Sequence, residues 1–207
     1  MSNLVDFYKK KNITKFEGYS QQVKGQVDFL RNIVNDKSIN NVMEIGFNAG
    51  HSAELFLSSN KNINLVSFDI GCHGYLKLGK QFIDKTYPNR HTLIIGNSLD
   101  TVPEYFKKEN KKFDLIFIDG NHNYYIVKRD ILNCKNLAHD KTIVVVDDTI
   151  NFAHKKNWII SGWNIGPNRA WKEAKDSNII NEIGSIDFKR GRGQSWGYYN
   201  DSRDRDG

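Results

Sequence analysis

Five short apolar runs recur along the chain, each rich in β-branched residues and each closing on glycine, serine or aspartate. They are NNVMEIG from residue 40, NLVSFDIG from 64, HTLIIGNS from 91, FDLIFIDG from 113 and KTIVVVDD from 141. A strand with one wet face alternates apolar and polar positions; these runs are nearly continuous, the pattern of strands buried on both faces. The intervals 75–85, 100–110 and 123–137 are long enough for helices, and SAELFLSS after the first run has a helical pattern. Upstream, Val23, Val27, Leu30 and Ile33 recur at helical spacing behind Ser20, an expected N-cap. Strands alternating with helices predict a doubly wound α/β domain with a mostly parallel sheet.

The end of the chain changes pattern. NRAWKEAKDSN reads as one more helix, while IINEIGSIDFK and QSWGYYN read as strands joined by the glycine-containing turn RGRG. An antiparallel hairpin is therefore expected at one edge of the sheet, followed by a frayed polar tail, DSRDRDG. The 207 residues are read as one domain: a helical cap over 1–36, a core over 39–150, and a loop, helix and hairpin over 151–200 that face substrate.

Composition narrows the classes. With 39% hydrophobic and 12% aromatic residues the chain can bury one substantial core. No run approaches the ~20 apolar residues of a membrane span, and the first residues lack the apolar stretch of a secretory signal. Cys72 and Cys134 stand far apart with no metal-ligand spacing, which points to free thiols and a cytoplasmic location. The net charge of +6 is scattered in short groups, a solvated surface and not a nucleic-acid stripe.

In open parallel sheets, ligands bind beyond the carboxyl ends of the strands. The first run ends MEIGFNAGHS, with Glu44 before Gly46 and Gly50, glycines that let the backbone bend sharply and a ligand come close. The spacing lacks the central glycine of the dinucleotide fingerprint, which disfavours a diphosphate. The second run ends at Asp69, the distance downstream at which an acidic residue accepts ribose hydroxyls. The pattern points to a ligand with a ribose and no diphosphate.

EIGFNAGHS, Asp69, GNS at 96–98 and FIDG, in that order, resemble the class I S-adenosylmethionine-dependent methyltransferases over nearly the whole chain. IIGNSLDTVP, FDLIFIDG and TIVVVDDT narrow the resemblance to metal-dependent O-methyltransferases. Among these the chain is similar to the macrocin and mycinamicin type that methylates sugar hydroxyls, and more distantly to the catechol type. The resemblance implies a Rossmann-like methyltransferase sheet and S-adenosylmethionine as cofactor. It assigns Gly46 to the cofactor turn, Ser52 to the methionine carboxylate, Asp69 to the ribose, and Asn97 with Ser98 to the adenine. Glu44, Gly50 and Asp119 join the same site. Taken singly, the glycines also fit a plain strand-to-helix turn and Ser52 a helix cap.

The fourth and fifth runs, side by side, would bring Asp119 together with Asp147 and Asp148. Three carboxylates at a partly buried edge repel one another unless a cation intervenes, and a hard divalent ion, Mg2+ or another of its kind, prefers oxygen ligands. In the catechol-type pattern Asp119 and Asp147 match metal ligands, while Asp148 stands where asparagine is usual and aspartate marks the macrolide-sugar enzymes. His122 stands where those enzymes carry a histidine and the catechol type a lysine base. An imidazole of pKa ~6.5 takes a proton near neutrality, so His122 is the expected catalytic base. His51, His73, His91, His139 and His154 receive no role.

The expected function is transfer of a methyl group to a hydroxyl of a small molecule, foremost a sugar, a nucleotide sugar or another glycosylated metabolite. Trp158, Trp163 and Trp171, in or beside the loop read over 152–168, are candidates for covering it, with Trp171 expected in the core. Lys189–Arg192 reads as a solvated hairpin tip. RNA or protein methylation and a non-catalytic nucleoside-binding module are the alternatives, and a homo-oligomer is left open.

Overall fold

The computed structural model describes residues 3–19, 23–150 and 162–200. Ser20, Trp158, most of the loop read over 152–168 and the DSRDRDG tail lie outside these residues. The five apolar runs form β1 (Asn41–Ile45), β2 (Asn64–Asp69), β3 (His91–Ile95), β4 (Phe113–Ile118) and β5 (Ala138–Asp147). β6 (Ile180–Asp187) and β7 (Gly193–Tyr199) complete one seven-stranded sheet in the order β3-β2-β1-β4-β5-β7-β6. The first five pair in parallel, and β7 runs antiparallel between β5 and β6. The expected hairpin is present, but its second strand inserts beside β5 and leaves β6 at the edge.

Helices cover both faces, as the continuous apolar strands require. On one face α5 (Ser98–Glu109), α6 (Tyr124–Lys135) and α7 (Gly162–Asp176) close over Met43, Phe68, Ile116 and Val144. On the other, α2 (Lys24–Val34), α3 (His51–Ser59) and α4 (Leu76–Thr86) close over Val42, Leu65, Phe117 and Val145. A large side chain buried in this way contributes about 1.5–3 kcal/mol, so the two layers hold β1, β4 and β5 firmly at the centre. Trp171 packs in the first layer, as expected. The helix α1 (Asn3–Lys10) seats Leu4 and Tyr8 on Ala49, and the Tyr8 hydroxyl lies within hydrogen-bonding distance of the carbonyls of Ala49 and Tyr75.

Two expectations change. The loop expected over 152–168 is cut short, because α7 already begins at Gly162 and runs through Pro167. Its first turns are tied to the end of β5: the buried Asn164 side chain donates to the Asp148 carbonyl, and Asn168 accepts from the Ile150 N–H. The hairpin tip is also not solvated at Arg192, which turns inward after a single helical turn at Lys189–Gly191. Both cysteines are free, Cys72 exposed and Cys134 buried. Among the described residues no helix is long and apolar enough to cross a membrane.

Candidate active site

Parallel strands place their carboxyl ends on one edge, so the turns after β1, β2, β4 and β5 meet there by construction. The turn after β1 is the seam. Gly46 has φ +103°, and a Cβ on it would stand 2.0 Å from the Asp119 carbonyl oxygen, so only glycine lets β1 and β4 end this close together. Gly50, at φ +85°, opens α3 in the left-handed conformation.

Around this seam the cofactor candidates are held by the chain itself. Asp69 accepts from the Asn48 N–H through one oxygen and from the Gly71 N–H through the other, both at 2.7 Å. Glu44, fully buried, accepts from the Ser52 hydroxyl at 2.7 Å and from the Ser67 hydroxyl at 2.6 Å, and Ser67 also contacts His91 Nε2. Burial pushes Glu44 up to about 7, while the two hydroxyls pull in the other direction. Ser52 therefore directs its proton to Glu44. Asn97, exposed, caps α5 by accepting from the Leu99 N–H, with Ser98 next to it as the first helical residue. Asp69, Gly46, Asn97 and Ser98 all line one cavity of about 740 Å³.

The same cavity is also lined by Asp119, His122, Asp148, Arg192 and Trp163. The turn Asp119–Asn123 delivers His122 by local chemistry: Asn121 accepts from the Asn123 N–H, and Asn123 caps α6 by accepting from Tyr125. Helix α7 presses on this turn at Gly166, where a Cβ would lie 2.0 Å from the His122 carbonyl. His122 Nε2 stands 3.3 Å from Asp148 Oδ2.

The three aspartates meet, though not as one trio. Successive side chains of a strand point to opposite faces, and Asp148 leaves β5 at φ +55°. Asp147 accepts from Gln26 of α2 and Gln194 of β7, with N–O distances of 2.8–3.0 Å. Asp148 meets His122 and Arg192, whose Nη1 lies 2.9 and 3.0 Å from its two oxygens. Asp119 adjoins both: it lines a recess of about 40 Å³ with Asp147 and Arg192. One ligand atom each from Asp119, His122 and Asp148 falls within 4.8 Å of the others, so the most compact metal-competent group takes the histidine in place of Asp147.

Charge is crowded here. Burial first, then Asp147 and Asp148, push Asp119 well above the carboxylate range, with Arg192 opposing. Burial and Asp148 push Asp147 up likewise, against the Gln194 hydrogen bond and Arg192. Sequence reasoning did not find Gln26, Gln194 or the inward Arg192. No local signal marks the two glutamines, because their partner lies 121 and 47 residues away.

A seven-stranded sheet in this order, with β7 alone reversed and its glycine turn and acidic strand ends around one cavity, is the class I methyltransferase fold. A family profile described as Methyltransferase domain matches residues 43–149, just over half of the chain, and the chain belongs to this family. A comparison with curated protein sequences finds no match. Among solved structures, the chain resembles an O-methyltransferase from Bacillus cereus in complex with S-adenosylhomocysteine, at 14% identity and a TM-score of 0.71, over 94% of this chain and 88% of that one. It also resembles the O-methyltransferase TomG from Streptomyces achromogenes, involved in tomaymycin synthesis and solved with S-adenosylmethionine, at 14% identity and TM-score 0.72, over 97% and 89%. A third likeness is to CalS11, a TDP-rhamnose 3'-O-methyltransferase of calicheamicin biosynthesis, at 16% identity and TM-score 0.61, over 86% and 81%.

Proposed function

We propose that this methyltransferase uses S-adenosylmethionine to methylate a hydroxyl of a small molecule, foremost a sugar or a nucleotide sugar, with a divalent ion at the acidic end of the cavity. The observation that carries the reading is the single cavity lined by Asp69 and Ser98 and also by Asp119, His122 and Asp148. The named functions of TomG and CalS11, O-methylation in both and a nucleotide sugar in the second, support it. S-adenosylmethionine supplies an electrophilic methyl group on a sulfonium centre. Asp69 receives the ribose hydroxyls, Gly46 lets the cofactor lie against the backbone, and Asn97 and Ser98 flank the adenine.

The residues fit a metal. Arg192 brings one positive charge to three carboxylates, and burial first, then the neighbouring carboxylates, displaces Asp119 and Asp147 toward protonation against it. A hard divalent ion held by Asp119 and Asp148, with Asp147 behind them, would supply the missing charge and favour ionisation of a neighbouring hydroxyl. His122 carries the proton chemistry. Its imidazole takes the acceptor proton, and the Asp148 carboxylate, 3.3 Å from Nε2, then stabilises the imidazolium. Trp163 gives the cavity an apolar wall against a sugar ring.

Calorimetry with S-adenosylhomocysteine tests the cofactor end. Asp69→Ala should weaken binding by about 1.5–3 kcal/mol, the scale of lost charged hydrogen bonds; NADH binding of equal strength would overturn the assignment. Turnover on a panel of sugars and nucleotide sugars should vanish in chelator and return with magnesium. Full activity in excess chelator would remove the metal.

A further inference from the structure

Arg192 sits at the start of β7, in the stretch where the sequence pattern shows only a basic tip. Its backbone is fixed, since its carbonyl accepts from the Phe188 N–H at 2.7 Å. Its guanidinium meets a carboxylate that is 1% exposed, and Nη1 contacts both oxygens of Asp148. Those are the oxygens that a cation held together with Asp119 would use. Two cations cannot occupy that space: their repulsion grows as water is excluded, and Asp148 has only two oxygens to share. Arg192 also lines the 740 Å³ cavity, so its side chain has room to swing away while its backbone stays in place.

We propose that Arg192 is the resident counter-ion of the acidic group, and that it and a divalent cation exclude each other at Asp148. The inference rests on the metal reading above and adds a property of this chain's own: the ion binds by displacing an internal cation, so its affinity is set by the strength of the Arg192–Asp148 pair. An ion pair that stays closed whatever the metal does would be only a clamp between β7 and β5.

The test is Mn2+ binding to the full chain, read by electron paramagnetic resonance with no cofactor or acceptor present, and by the melting temperature with and without Mn2+. Arg192→Gln keeps an amide donor for Asp148 and removes the charge. It should bind Mn2+ about tenfold more tightly or better, within the usual range of coupling between two ligands, and gain more melting temperature from Mn2+ than the wild type does. Arg192→Lys keeps the charge and should stay near the wild-type affinity. Equal or weaker Mn2+ binding by folded Arg192→Gln, with the wild type binding measurably, would overturn the competition and leave the metal reading standing. Absence of Mn2+ binding at millimolar concentration in the wild type and both variants would overturn both.

Discussion

At the ends of β1 and β2, Glu44 and Asp69 find their hydrogen-bond donors within the chain: two serine hydroxyls for one, two backbone N–H groups for the other. At the ends of β4 and β5, three aspartates share two glutamine amides, one histidine and one arginine. The first half of the site, Glu44 and Asp69, is satisfied before any ligand arrives. Two neutral donors meet each of these carboxylates, one for each oxygen. The second half crowds its carboxylates together, and burial with mutual repulsion pushes Asp119 and Asp147 toward protonation. Carboxylates kept this close cost stability in the folded chain, and the divalent ion proposed above would offset that cost.

Breaking the second half alone has the largest expected effect. His122→Ala should lower kcat by ~10²- to 10⁴-fold, the contribution of a positioned acid–base group, while S-adenosylhomocysteine affinity stays at the wild-type level by calorimetry. A variant that keeps wild-type kcat would leave His122 as a lining residue. Next comes the seam that both halves share. Gly46→Ala puts a Cβ into the Asp119 carbonyl at a backbone angle that disfavours side chains, and should cost about 2–5 kcal/mol in urea unfolding. An unchanged midpoint would mean that β1 and β4 are free to part.

The smallest effect sharpens the contrast through pH. Glu44 has an ordinary value of 4.5 and a folded value of about 7. Between the two the unfolded chain has released the proton and the folded chain still holds it, so this group's contribution to stability falls as pH rises through that window. Glu44→Gln should flatten the decline, which is at most about 1.4 kcal/mol per pH unit for one group. The slope that remains combines Asp119, Asp147 and Asp130, raised for the same first reason, burial, with His51 and His91, which burial lowers and which act in the opposite direction. Stability curves at stepped pH measure both, and an unaltered slope in Glu44→Gln would show that its carboxyl is ionised at neutral pH.

The sequence by itself determined the five parallel strands, the sharp turns at Gly46 and Gly50, and the presence of Asp69, Asp119, Asp147 and Asp148 at strand ends. Apolar runs, glycine turns and chain-terminal positions of a strand are local properties, written in neighbouring residues. It also carried His122, three residues past Asp119 on a turn shaped by its own asparagines. Only the tertiary structure decided where the charges point. β7 inserts beside β5 and puts Gln194 opposite Asp147. α2 brings Gln26 to the same carboxylate, the hairpin turns Arg192 inward onto Asp148, and Ser52 spends its hydroxyl on Glu44. Each is a contact between segments distant in sequence: the pattern of a strand or helix tells which face a polar residue occupies, but its partner depends on which strand or helix folding brings against that face.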